Sequence, residues 1–240
     1  MTTLALEELV KIYNGKTVVN GINIQVNQGE VTGLLGPNGA GKTTTFYMAV
    51  GMIKPEKGKV FLDRSEITDY PMYMRARKGI GYLPQEASIF KKLTVKQNIT
   101  AILELLPGKK ADLHGKSVHL MAELGIARLA DQKASSLSGG ERRRLEIARV
   151  LACDPLFILL DEPFAGIDPL AVTDIQNIIR QLTCKGIGVL ISDHNVRETL
   201  GVCDSAYIVS QGRVIESGDP ERITSSKIAK QIYLGDNFKL

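Results

Sequence analysis

Tryptophan is absent, and phenylalanine and tyrosine bring the aromatic share to only 5% of 240 residues. Unstacked bases need flat side chains to lie on, so this poverty argues against a single-stranded nucleic-acid binder. Charge of one sign is also in short supply. The net charge is +4, and its clusters are brief: Arg75, Arg77 and Lys78; Lys91 and Lys92; Arg142 to Arg144. Such clusters read as solvated faces or phosphate neighbours, and we expect no nucleic-acid partner. Cys153, Cys184 and Cys203 are the only three cysteines. They lie far beyond any Cys-x-x-Cys spacing, which excludes a disulfide framework or a zinc finger and predicts ordinary buried thiols of a reducing compartment. No apolar run, Leu156 to Leu160 being typical, approaches the roughly 18–20 residues that cross a bilayer. Any membrane role is therefore peripheral. Met1 to Leu9 carries Glu7 and Glu8 where a signal peptide needs a basic start, so the chain is expected to stay in the cytoplasm. In that compartment the glycosylation sequon Asn98-Ile99-Thr100 is a chance match.

A hydrophobic content of 44% over 240 residues suffices to bury about 70–75% of the unfolded chain's surface. Short β-rich runs recur between helical stretches, which is an α/β pattern. Leu4 to Tyr13 and Thr17 to Val26 flank Asn14-Gly15, a pair suited to a tight hairpin. Val31 to Leu35, Ile80 to Leu83, Phe157 to Leu160 and Gly188 to Ser192 are short and apolar throughout, as strands buried on both faces of a parallel sheet are. Ala206 to Ser210 and Arg213 to Glu216, joined by Gln211-Gly212, read as a second hairpin. From about Lys92 to Cys153 helical spacing takes over, as in Leu120, Met121 and Leu124. The expected organisation is a core of residues 1–91 and 154–240, with antiparallel β elements, interrupted by a helical subdomain over 92–153. A polar break, Leu106-Pro107-Gly108-Lys109-Lys110, divides the helical part.

Directly after the first buried run stands Gly36-Pro37-Asn38-Gly39-Ala40-Gly41-Lys42-Thr43, which fits G-x-x-x-x-G-K-[ST] at every fixed position. Its glycines let backbone N–H groups converge on phosphate oxygens, and the following helix turns its positive end toward the same charge. Lys42 is expected to reach the β- and γ-phosphates and Thr43 to hold magnesium. A second element, Phe157 to Leu160 followed by Asp161 and Glu162, ends a buried strand in two carboxylates. Asp161 is placed to bind magnesium through water, and Glu162 to orient or deprotonate the water that attacks the γ-phosphate. The plainer alternative, two helix caps, is opposed by Pro163 and Phe164, which intervene before the next helix.

Leu137-Ser138-Gly139-Gly140-Glu141 narrows the field. Ser138 and Glu141 form a capping box, so a helix starts here and runs through Arg149. Two glycines in its first turn weaken it by about 1 kcal/mol each relative to alanine, which capping alone does not account for. A bare helix N-terminus with a serine hydroxyl is an anion site, and the chain already has one. The second must meet a phosphate elsewhere.

Taken together, the phosphate loop, Ser138 to Glu141 and the Asp161-Glu162 pair resemble the ABC ATPases, over essentially the whole chain. The resemblance implies a P-loop NTPase with a mostly parallel central sheet, an N-terminal antiparallel β subdomain and an inserted α-helical subdomain. It implies a homodimer packed head to tail, with ATP at the interface and magnesium beside it. Gly36 to Thr44, Ser138, Gly139, Gly140 and Asp168 would then contact nucleotide. Tyr13 resembles the aromatic that stacks on adenine, or is an ordinary strand tyrosine. Gln85 resembles the glutamine that contacts magnesium and water and links the lobes, and His194 the histidine that touches the γ-phosphate; with Glu162 they make up the catalytic set. Thr43, Gln85 and Asp161 would hold the metal. Ala165-Gly166-Ile167-Asp168 occupies the dimer-contact loop, keeping the aspartate but not the usual serine. Asp168-Pro169 also reads as an N-cap and first helical residue, opening a helix with a stripe of Ile175, Ile178, Ile179 and Leu182 that Gly186 ends.

Longer stretches, Thr43 to Tyr47, Gly81 to Phe90, Asp193 to Thr199 and Tyr233-Leu234-Gly235, are similar to the ATPases of lipopolysaccharide exporters, with branched-chain amino-acid importers as the alternative branch. A soluble ABC protein acting on ribosomes or DNA is disfavoured, because this chain carries one cassette and no heptad run. The resemblance implies two integral membrane partners docked beside Gln85 and no direct contact with cargo. Phe90 and Leu93, apolar beside Lys91 and Lys92, suit either a socket for a partner helix or the ordinary core.

Overall fold

The computed structural model describes residues 2–106, 112–235 and 238. Residues 107–110 of the polar break and most of the tail 236–240 lie outside them. Asn14 and Gly15 both take positive φ, 49° and 78°, the pair of left-handed residues that a tight I′ turn demands. They join β1 (Thr3–Tyr13) to β2 (Lys16–Asn27). After β3 (Val31–Leu35) come α1 (Lys42–Val50), β4 (Lys57–Leu62), β5 (Ser65–Glu66), α2 (Met72–Arg77) and β6 (Ile80–Leu83). The helical stretch holds α3 (Val95–Leu105), α4 (Leu113–Glu123) and α5 (Gly139–Leu151). The chain then returns through β7 (Phe157–Asp161), α6 (Pro169–Cys184), β8 (Gly188–Ser192), α7 (Val196–Leu200), β9 (Ser205–Ser210), β10 (Arg213–Gly218) and α8 (Pro220–Ser225).

Two sheets result. One is antiparallel, in the order β2-β1-β4-β5, and the other runs β10-β9-β3-β8-β7-β6. In the second, β9, β3, β8, β7 and β6 are parallel and only β10 is antiparallel. Period-2 alternation divides the parallel sheet's side chains between two cores. Ile158, Leu160, Val189 and Ile191 pack with Leu145 of α5 and the α6 stripe. Phe157, Leu159 and Leu190 face the other way, onto Phe46 and Met48 of α1 and the antiparallel sheet. A strand covered on both faces has to be apolar throughout, which is why these runs are legible as buried strands.

Elements β4, β5 and α2 had no signal strong enough to be expected. In β4, Lys57, Gly58 and Lys59 precede the apolar residues, and the strand exists because Val60 and Leu62 are buried against β1. The local chemistry of α6 is as anticipated. Asp168 accepts from the Ala171 N–H at 3.0 Å, Pro169 opens the helix, the isoleucine stripe is buried, and Gly186 takes φ 79° just past its end. Helix α5 runs to Leu151, two residues beyond the expected Arg149. The cysteines need correction: Cys203 is buried, but Cys153 is half-buried and Cys184 is exposed. Cys184 sits two residues past the last stripe position of α6, off its buried face. Asn98 of the sequon is fully buried. Among the described residues no helix is long and apolar enough to cross a membrane.

Candidate nucleotide site

The loop from Gly36 to Thr43 spans the gap between β3 and α1, and close packing sets its path. Gly36 has φ 147°, and a Cβ there would lie 2.0 Å from the Val209 carbonyl oxygen. Gly41, at φ 106°, would bring a Cβ within 2.7 Å of the Val18 oxygen on β2. No other residue type fits either place. The Gly212 N–H donates to the Ala40 oxygen at 2.9 Å, so the turn between β9 and β10 braces the loop. Pro37 is half-buried, Asn38 and Gly39 are exposed, and Ala40 is buried. The first N–H groups of α1 have no carbonyl partner within the helix. Lys42 Nζ donates to the carbonyl oxygens of Gly36 at 2.6 Å and Pro37 at 3.0 Å. Burial lowers its pKa, opposed by the charges of Glu162, Asp161 and Asp193, which therefore lie within electrostatic reach of the loop. Thr43 is exposed and Thr44 half-buried.

Those carboxylates end two adjacent buried strands. Asp161, the last residue of β7, is 4% exposed, and burial, then the charge of Glu162, pushes its pKa up to about 6. Glu162 takes φ 46°, unusual for a residue with a side chain. Its N–H is held by the Ser192 carbonyl at 2.6 Å. Glu162 Oε2 accepts from Gln85 Nε2 at 2.8 Å and lies 3.3 Å from His194 Nδ1. Three of the residues singled out from sequence thus converge on one oxygen atom, from the ends of β6, β7 and β8.

Ser138, Gly139 and Gly140 stand apart from this cluster. Ser138 forms the expected box, its Oγ accepting from the Glu141 N–H at 3.3 Å while its own N–H donates to Glu141 Oε2 at 3.0 Å. Both glycines pack beside the loop that ends at Asp168 and the start of α6. A Cβ on Gly139 would lie 3.7 Å from Ile167 Cγ2, and one on Gly140 3.1 Å from Ala171 Cβ. Tyr13 ends β1, 41% exposed, with Lys11 Nζ 5.3 Å from its ring centre. The carboxylate of Asp168 is engaged as the cap of α6.

Sequence reading passed over three polar groups that hold the site together. Asp193 is fully buried, accepting from the Asn195 N–H at 2.8 Å and the Phe164 N–H at 3.0 Å. Its position, a carboxylate ending a buried strand as Asp161 does, was the available signal. Arg143 and Glu146, one turn apart on α5, form a buried ion pair at 3.1 Å. Arg143 also donates to the Pro84 oxygen at 3.0 Å and the Asp161 oxygen at 3.3 Å, and Glu146 accepts from the Ser88 N–H at 3.0 Å. These bonds tie α5 to the Gln85 segment and the end of β7.

A phosphate cradle with a lysine, next to a carboxylate pair whose Glu162 is gripped by an amide and an imidazole, is equipped to bind a polyphosphate and direct water at it. The model of the family described as ABC transporter matches residues 19–165. The chain belongs to this family. It is 53% identical over 237 residues to the lipopolysaccharide export system ATP-binding protein of Acidithiobacillus ferridurans, covering 99% of this chain and 98% of the relative. The proteins of the same description from Haemophilus influenzae and Escherichia coli K12 are 52% and 53% identical, with complete coverage of both chains. Among solved structures, an ATP-binding cassette of an ABC transporter in its ADP conformation is 31% identical, with a TM-score of 0.88 over 98% of this chain and 100% of that one. A Clostridium perfringens cassette, part of an ABC transporter complex, is 30% identical with a TM-score of 0.86 over 95% and 92%. The expected fold is therefore correct, and as an ABC ATPase the chain binds and hydrolyses ATP.

Proposed function

We propose that this ABC ATPase powers export of lipopolysaccharide from the inner membrane. In this reading it sits on the cytoplasmic face as a homodimer, docked to two integral membrane subunits and touching no cargo itself. What supports the cargo assignment is identity above 50% along the full chain to export-system ATP-binding proteins of three bacteria. The membrane subunits would enter the groove of about 640 Å³ beside Gln85, between the nucleotide-binding core and the helical lobe. Phe90 stands near it, 44% exposed, under the Arg149 guanidinium at 4.6 Å.

Chemistry follows from the cluster around Glu162. Backbone N–H groups of Gly36 to Thr44 would bind the phosphates, with Lys42 turning from its carbonyl partners to the β- and γ-oxygens. Glu162 would accept a proton from the attacking water, while Gln85 and His194 hold its carboxylate in place and His194 reaches the γ-phosphate. Tyr13 would cover the adenine. Among the described residues no group of three or more His, Cys, Asp and Glu side chains forms a metal cage. The oxygen donors of Thr43, Asp161 and the Gln85 amide, completed by phosphate, nevertheless suit magnesium, which prefers a few hard protein ligands plus substrate. Bound there, the ion would offset phosphate charge. The second anion site, Ser138 to Gly140, would face the nucleotide of the other copy, with the loop ending at Asp168 at the same interface.

Purification from membranes in mild detergent tests this reading. Two integral proteins should accompany the chain, and lipopolysaccharide should raise ATP turnover of the complex. Co-purification with amino-acid importer subunits, or with none, would refute it.

A further inference from the structure

Behind Met72 and Ala76, which line the groove, lies a buried cation that the site chemistry does not use. Arg75 of α2 is 1% exposed, and among the described residues it forms no ion pair with a carboxylate. Its guanidinium instead donates to four main-chain carbonyls: Met48 and Ala49, each at 2.7 Å, Thr68 at 2.8 Å and Tyr70 at 2.9 Å. Burial lowers its pKa to about 10, so it stays charged at neutral pH. Met48 and Ala49 lie in the last turn of α1, where the negative end of the helix dipole favours a cation. The fit leaves no slack, because a Cβ on Gly51 would lie 2.7 Å from Arg75 Nε.

Arg75 therefore joins two elements with different tasks. Helix α2 presents Met72 and Ala76 to the groove, and α1 presents Tyr47. At its other end α1 begins with Lys42 and Thr43 of the phosphate loop, Lys42 lying about 9 Å from Met48 at 1.5 Å per residue. A helix this short moves as a rod, so a displacement at Met48 reaches Lys42.

We propose that Arg75 is a coupling residue, a strut through which a membrane subunit seated in the groove adjusts α1 and hence Lys42. This rests on the docking reading above. It differs from a purely structural role in one respect: the effect should appear on assembly.

The test compares amide hydrogen exchange and ATP kinetics for the free cassette and the detergent-purified complex, in wild type and Arg75→Lys. In wild type, assembly should slow exchange at residues 48–53 at least fivefold and shift the KM for ATP. In Arg75→Lys, both responses should fall below twofold while the free cassette keeps kcat within twofold of wild type. An assembly response in the variant equal to that of wild type would overturn the proposal. So would unchanged exchange at residues 48–53 in the wild-type complex, a result that needs no variant to fold. Gly51→Ala, which crowds the same guanidinium from the α1 side, should reproduce the loss of response. If no membrane subunit co-purifies, the docking reading fails first, which is a distinct outcome.

Discussion

Gln85 Nε2 donates to Glu162 Oε2 across 2.8 Å, joining the segment after edge strand β6 to the carboxylate beyond β7. Since the amide donates through nitrogen, its own oxygen is left to face a cation, and the carboxylate keeps a second oxygen for water. Replacing Glu162 with glutamine removes the acceptor for the proton but keeps the shape. Glu162→Gln should bind ATP with wild-type affinity, lose about 10²–10⁴ in turnover, and accumulate as a nucleotide-bound dimer in size-exclusion chromatography.

Lys42 and Ser138 belong to different halves of the proposed composite site, which makes them separable. Lys42→Ala and Ser138→Ala should each abolish turnover when alone. Mixed in equal amounts, they should recover a substantial fraction of wild-type ATPase, because each heterodimer contains one site with both halves intact. Ser138→Ala should also cost about 1 kcal/mol of stability from the lost cap, readable in urea unfolding.

The pKa of Asp161, raised to about 6 by burial and then by Glu162, has consequences in two directions. A carboxyl whose folded-state pKa exceeds its unfolded value binds more protons when folded, so its ionisation erodes stability as pH rises through that window. Asp161→Asn should therefore raise the melting temperature at pH 8 by several degrees, at about 2–4 °C per kcal/mol for a chain of this size, and leave it nearly unchanged at pH 4. Activity moves the other way. Turnover of the wild type should fall at acid pH, where a proton on Asp161 competes with the cation, and the variant should be inactive throughout.

Two glycines of the loop differ in what surrounds them. A Cβ on Gly36 collides with the Val209 carbonyl, whereas one on Gly39 meets nothing within 4 Å. Gly39→Ala should cost about 1–2 kcal/mol for its left-handed backbone. Gly36→Ala should cost more and weaken ATP binding at least tenfold, by calorimetry, since the loop must shift to admit the methyl group.

Much of this protein was legible in its sequence because the responsible physics is local. A strand covered on both faces is apolar nearly throughout, so the runs ending at Leu35, Leu83, Leu160 and Ser192 announced themselves. Turns and caps that demand particular residues did so too, at Asn14-Gly15, Ser138 to Glu141 and Asp168-Pro169. The phosphate loop belongs with them, for only glycine admits its backbone. Other features were decided by tertiary packing. Nothing near Lys57 announces β4, which forms because β1 offers it an edge and a core. Arg75 reads as one more surface charge, and only the meeting of α1 and α2 makes it a buried strut. Glu162, Gln85 and His194 stand far apart along the chain, and the parallel order of β6, β7 and β8 brings them to one oxygen. The sequence determined which groups carry the chemistry, since residue type fixes that. The sheet decided which of them meet, since distance in a folded chain depends on strand order and not on spacing.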